Sequence, residues 1–183
     1  AKLKKSGMRV GLGAVGQGYG VEKAVANLKK RGYKSGFVDG SGDSFFWGRK
    51  PDDSVWSVGI RSPFSKEKTL LRFYGTDVAV TTAGDDEKFF FKAGRRVHHI
   101  IDPRNGRPAS KLRQVTVIGP SAFQADAYDT ACFVLGLDPC QKLLKQKGLE
   151  AVIVTPDEKV HLTQGLKKKT NQQWGTYWTV DRL

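Results

Sequence analysis

Arg95 to Gly136 reads RRVHHIIDPRNGRPASKLRQVTVIGPSAFQADAYDTACFVLG. Its second half decides the fold. Gln114 to Ile118 alternates and is rich in β-branched residues, which predicts a strand. Ser121 suits the N-cap of a helix running to Leu135, and Gly136 suits its end. That helix carries Asp126, Asp129 and Thr130. The first half of the stretch holds His98 and His99 ahead of an Asp102-Pro103 turn. Together these features point to a site for a hard cation beside a histidine able to move a proton, with the rest of the chain as scaffold and lining.

Working outward, Met8-Arg9-Val10 reads as a short strand entering a glycine-rich loop at Gly11, Gly13, Gly16, Gly18 and Gly20. The loop feeds a helix from about Tyr19 to Arg31, where Val21, Ala24, Val25 and Leu28 share one face and Gly32 follows as a cap. Strands are expected at Gly36 to Asp39, Ser44 to Trp47, Val55 to Ile60, Leu70 to Tyr74 and Val78 to Thr82. Turn clusters at Gly40 to Asp43 and Lys50 to Asp53 separate the first three. After the long helix, a second is expected from Pro139 to Gln146, ending at Gly148. Ala151 to Thr155, Val160 to Thr163 and Thr176 to Val180 read as closing strands. With no repeat or linker, one α+β domain over residues 1–183 is expected.

The 183 residues suffice for one sizeable core. No apolar run approaches the roughly 18 residues of a membrane span, and the basic N-terminus has no apolar signal core. The net charge of +13 implies an anionic partner or surface. No nucleic-acid-binding motif accompanies it, so phosphorylated ligands fit better than nucleic acid. Lysine and arginine gather at Lys2-Lys4-Lys5, Lys29-Lys30-Arg31 and Lys167-Lys168-Lys169, as solvated faces do. Cys132 and Cys140 form no Cys-x-x-Cys pair, and Cys132, inside the apolar helix, is expected to be a buried free thiol.

Asp126 and Thr130 lie four residues apart on one helix face, with Asp129 at its edge. Carboxylate and hydroxyl oxygens are what Mg²⁺ prefers, usually from few side chains with substrate phosphates completing the shell. A solvated polar face has the same spacing. His98 and His99 are neighbours in an extended segment, so only one can face a given site. The histidine there either takes a proton from a hydroxyl nucleophile or orders the following turn. The glycine-rich loop suits either phosphate binding at a helix N-terminus or tight packing. His161 is isolated on a late strand.

Four segments taken together resemble one family, the ApbE-type FAD:protein FMN transferases. GLGAVGQGYGVEKAV is similar to that family's glycine-rich strand-to-helix motif, and TTAGDDEKFF to its Thr-Ser-Gly-Asp-Tyr-Glu segment. VHHIIDPRNGRP resembles its His-Ile-Ile-Asp-Pro-x-Thr-Gly motif, and QVTVIGPSAFQADAYDTACFVLG its metal-binding helix. The implied fold is an ApbE-like, T-fold-like domain with a mixed or antiparallel sheet flanked by helices. This chain would be roughly the C-terminal two-thirds of it, without the family's N-terminal portion. The chain departs from the motifs at Gly11, Gln17, Glu22, Ala83, Asp86 and Asn105.

The resemblance implies Mg²⁺ held by Asp126, Thr130, nearby Asp129 and the main-chain carbonyl of Ala14. It implies His99 as the base for the acceptor hydroxyl, with Gln17, Thr82 and the backbone around Ile100 against FAD. The implied reaction transfers the FMN moiety of FAD to a threonine hydroxyl of an acceptor protein in a membrane redox complex, releasing AMP. Hydrolysis of FAD to FMN and AMP, or flavin and metal binding without catalysis, are the alternatives. The implied location is the periplasm or the outer face of a bacterial inner membrane.

Overall fold

The computed structural model describes residues 3–65, 67–86, 88–167 and 179–182. In chain order the elements begin with α1 (Gly16–Lys30), β1 (Gly36–Gly40), β2 (Asp43–Trp47), β3 (Trp56–Arg61), β4 (Thr69–Gly75) and β5 (Val78–Gly84). There follow β6 (Phe89–Lys92), β7 (Arg95–His98), β8 (Ile101–Asp102), β9 (Arg107–Pro108) and β10 (Gln114–Gly119). The chain continues through α2 (Ala122–Leu135), α3 (Leu137–Lys147), β11 (Glu150–Val154), β12 (Val160–Leu162), α4 (Gln164–Lys167) and β13 (Thr179–Arg182). A six-stranded antiparallel sheet, ordered β1-β2-β5-β10-β11-β12, is the centre of the fold. A three-stranded sheet, β13-β4-β3, covers one face, and α1, α2 and α3 pack on the other.

Strand alternation sorts the residues between these layers. Val115 and Val117 of β10, Ala79 and Ala83 of β5, and Phe45 and Trp47 of β2 join the helices' Val21, Val25, Ala125 and Phe133 in one core. Phe46, Val78, Val80 and Val152 meet Ile60, Leu71 and Phe73 of the smaller sheet in the other. Ser121 caps α2 as expected, accepting from the Gln124 N–H at 3.2 Å. Gly136, with φ +90°, ends α2 and begins α3, a backbone angle that glycine adopts without a Cβ penalty. Among the described residues no helix is long and apolar enough to cross a membrane.

Three expectations change. Met8 to Val10 forms no strand: among the described residues nothing pairs with it, and Met8 and Val10 stay exposed at 49% and 69%. The apolar pattern of a strand is there without a neighbour to complete its ladder. Helix α1 starts at Gly16, ahead of Tyr19, and takes in much of the glycine-rich loop. The reason is helix-on-helix contact. A Cβ at Gly18 would strike the Ala122 carbonyl and come within 2.6 Å of the Asp126 Cβ. Finally, Cys132 is not a free thiol: it forms a disulfide with Cys140, their Cα atoms 4.6 Å apart across the Gly136 break. Thr176 to Trp178 of the last expected strand, Lys2, and Lys168 and Lys169 of the basic clusters lie outside the described residues.

Two outcomes follow from this packing. The double substitution Cys132→Ala with Cys140→Ala opens a short loop, and chain entropy puts the loss at about 2–3 kcal/mol. Urea unfolding with and without reductant measures it: reductant lowers the midpoint of the parent chain and leaves the variant's where it is. Gly18→Ala drives a methyl group into main chain, an overpacking cost of about 1–3 kcal/mol. Thermal unfolding is the check, and an unchanged midpoint would mean that α1 does not approach α2 this closely.

Candidate functional site

The helix-facing side of β2 and β5 is apolar except at Asp43 and Thr81, and α2 sets Asp126 and Asp129 over that region. All four are buried: Asp43 and Asp126 are 6% exposed, Asp129 2% and Thr81 0%. Asp126 accepts a 2.8 Å hydrogen bond from the Gly18 N–H through Oδ2, which ties the first turns of α1 to α2. Ala14 lies in the turn just before α1, one helical turn ahead of Gly18. Thr130 donates its hydroxyl to Asp129 Oδ1 at 3.1 Å.

Burial pushes the Asp126 carboxyl above its usual range, against the pull of the Gly18 N–H. Burial pushes Asp129 well above it, with the charge of Asp43 adding to the rise. Among the described residues neither Asp126 nor Asp129 meets a lysine or arginine side chain. Thr81 lies close enough to Asp129 to oppose the rise, yet among the described residues its buried hydroxyl has no partner of hydrogen-bonding geometry. Two desolvated carboxylates and an orphaned hydroxyl are the surroundings a hard divalent cation would complete. The described residues hold no group of three or more His, Cys, Asp or Glu side chains that could hold a metal ion by themselves. Mg²⁺ is bound elsewhere by one or two carboxylates when phosphates and water supply the further oxygens.

The two histidines have separate surroundings. His98 is buried, its Nε2 donating to the Ala109 carbonyl at 2.7 Å while Nδ1 accepts the Ile100 N–H at 3.3 Å. Its ring stands edge-on to Phe133 of α2, centroids 5.6 Å apart. Both nitrogens are engaged, so His98 orders the chain and His99, on the next residue, is exposed. The turn beyond is clamped to α2: Arg104 donates to Asp102 Oδ1 at 2.7 Å and Oδ2 at 2.6 Å, and to the Val134 carbonyl at 3.1 Å. These hydrogen bonds hold the Asp102 carboxyl down at about 2. His161 is half-buried on β12, its main chain paired with Ile153.

A cleft of about 520 Å³ opens on the other face of the large sheet, between it and β3, with Asp39, Ser44, Arg61, Thr82 and Gln114 in its wall. That volume suits a small-molecule site. Thr82 lies in this wall, shares a 2.9 Å hydrogen bond with the Thr116 hydroxyl, and donates its N–H to Asp43 Oδ1 at 3.3 Å. Gln17 and Ile100 do not line the cleft. The Gln17 amide donates to the Gly40 carbonyl at 2.8 Å, bracing the β1–β2 turn. Ile100 is buried, with its N–H on His98 and its carbonyl accepting from Ala109 at 3.0 Å. The structure thus gathers Asp126, Asp129 and Thr130 at one place, with Ala14 at the head of α1, and puts Thr82 at another. In the sequence Thr81 reads only as part of the TTAGDDEKFF segment and Asp43 only as part of a turn, and neither is placed beside the carboxylates. The signal for them was polarity at the inward positions of otherwise apolar strands.

The raised Asp129 pKa carries a pH dependence. A folded pKa above the unfolded value makes a contribution that is fully present below about pH 4 and is lost as pH rises through the folded value. In chelator, the parent chain is expected to lose stability from pH 4 to pH 8, and Asp129→Asn to recover about 1–3 kcal/mol of it at pH 8 only. Mg²⁺ should lift the parent and leave the variant unmoved. Unfolding at the two pH values, with EDTA and with MgCl₂, decides it.

Residues 1–153 match the ApbE family. The chain is 36% identical to the FAD:protein FMN transferase of Treponema pallidum, over 90% of its own length and 49% of that protein's. To the FAD:protein FMN transferase of Escherichia coli strain K12 it is 30% identical, over 81% and 43%. Among solved structures it is similar to the ApbE protein of Thermotoga maritima, with TM-score 0.83 and 31% identity over 88% of this chain and 53% of that one. The apo flavinyl transferase ApbE of Pseudomonas stutzeri superposes with TM-score 0.71 at 31% identity, over 85% and 50%. The chain spans about half the length of these relatives. The family match over residues 1–153 shows that the chain belongs to the ApbE family.

Proposed function

We propose that this chain carries the cation-binding and proton-accepting part of a FAD:protein FMN transferase. In this reading the FMN moiety of FAD passes to a threonine hydroxyl of an acceptor protein in a membrane redox complex, and AMP leaves. The observation that carries it is the pair of buried carboxylates, Asp126 and Asp129, the second beside the Thr81 hydroxyl, with no lysine or arginine side chain against either among the described residues. Asp126, Thr130 and the Ala14 carbonyl would hold Mg²⁺, with Asp129 beneath. When bound, the ion would neutralise charge on the diphosphate of FAD.

The remaining work falls to this chain's own groups. Both ring nitrogens of His98 are occupied, which leaves His99 to accept the proton of the attacking hydroxyl as its oxygen bonds to the FMN phosphorus. His98 and the Arg104 clamp fix the chain on either side of His99, holding the base to α2. Thr82 and the cleft around it offer polar contacts for part of the flavin nucleotide. The reaction belongs in this reading to the periplasm or the outer face of a bacterial inner membrane. The buried Cys132–Cys140 disulfide supports that placement, since such bonds persist in oxidising compartments.

The chain, incubated with FAD, MgCl₂ and an acceptor domain, should add the mass of one FMN less one water to the acceptor in intact-protein mass spectra. His99→Ala is expected to slow this by about 10²-fold or more, the usual worth of a positioned base, and EDTA to stop it. AMP released with no adduct would convert the reading to hydrolysis. An adduct that forms at the parent rate in His99→Ala would remove the base from the scheme.

A further inference from the structure

The hairpin β6–β7 leads directly into His99 and has an exposed face that the chemistry above leaves unused. Its register pairs Phe89 with His98, Phe90 with Val97, Phe91 with Arg96 and Lys92 with Arg95. Phe89, Phe91, Arg96 and His98 therefore share one side. On that side the Arg96 guanidinium lies 4.0 Å from the Phe89 ring centroid and 3.4 Å from Asp85 Oδ1 and His98 is buried, while Phe91 nearer the turn is 63% exposed. Phe90 and Val97 take the other side, and exposed His99 follows directly on the end of β7. Phe90 is 60% exposed there.

The hairpin is a two-stranded sheet, and among the described residues no third strand pairs with either edge. From Lys88 to His99 the sequence KFFFKAGRRVHH contains four lysines and arginines and no carboxylate. An open strand edge, an apolar strip and a cationic tip in line with the base make up a peptide-docking surface. Resting on the transferase reading, we infer that this face docks the acceptor polypeptide as an added strand, with its threonine at His99. At about 3.3 Å per residue, Val97 stands about 7 Å from His99 along the strand, and the Lys92–Arg95 tip about 13 Å. The acceptor segment is thus one with an apolar residue two positions from the threonine and an acidic residue four positions from it.

The test uses fluorescein-labelled twelve-residue peptides carrying a threonine, a valine two residues away and a glutamate four residues away, in either chain direction. Polarisation titrations on the whole chain should show the glutamate peptide binding about tenfold more tightly than its lysine counterpart, a difference of about 1.4 kcal/mol. Phe90→Ser should weaken it by about tenfold, as loss of an aromatic anchor does. Lys92→Glu should reverse the preference to the lysine peptide, a gain that a misfolded variant would not produce. Equal affinity for both peptides, together with indifference to Phe90→Ser, overturns the inference. So does hairpin-dependent binding to phosphatidylglycerol vesicles with no peptide preference, which would make this face a membrane contact. If binding follows the pattern and no flavin adduct forms, the docking surface stands and the transferase reading falls. If an adduct forms whose rate ignores both substitutions, the reverse holds.

Discussion

The structure depends on the contact where Gly18 meets α2. At that point α1 has no side chain, so its backbone reaches the Ala122 carbonyl and its N–H reaches the Asp126 carboxylate. The hydrogen bond is between a helix's first turn and a buried negative charge, a pairing that the helix dipole favours. It takes up one oxygen of Asp126 and fixes the start of α1 against α2. Helix packing and site assembly are a single event here. The cost is a pair of carboxylates kept out of water with no lysine or arginine side chain against them among the described residues.

β5 is the partition of the molecule. Thr81 and Thr82 are adjacent in sequence and belong to different compartments, one under α2 beside Asp129 and one in the cleft against the smaller sheet. Asp43 links them, adding its charge to the surroundings of Asp129 and accepting the Thr82 N–H. His98 and the Arg104 clamp join the third part, the histidine turn, to the C-terminal half of the same helix.

Much of this was written in the sequence where local signals and tertiary contacts agree. The Gln114 strand, the Ser121 cap and the Gly136 stop each rest on a local physical preference, and all three appear in the structure. The rule that adjacent residues in an extended chain point apart separated His98 from His99 in advance. What was not legible depended on partners distant in the chain. Phe89 to Val97 has no alternation to mark it as a hairpin, because its strands are stacked under Arg96 instead of being half-buried in the core. Cys132 and Cys140 meet only because Gly136 turns the chain back. Met8 to Val10 has the composition of a strand, and composition cannot supply a neighbour. Thr81 and Asp43 are ordinary polar residues until the sheet places them beneath α2.

The division along β5 limits what kinds of sequence change this fold can absorb. Deleting one residue between Val78 and Thr81 would shift the strand by a single step against β10 and exchange the two faces. Thr82 would then stand where Thr81 stood beside the carboxylates, and the cleft would receive Ala83 in place of the Thr82 hydroxyl. Point substitutions in this strand can be graded, but changes of length cannot. Variation in length among descendants of this chain belongs in the connecting loops, such as Lys50 to Asp53.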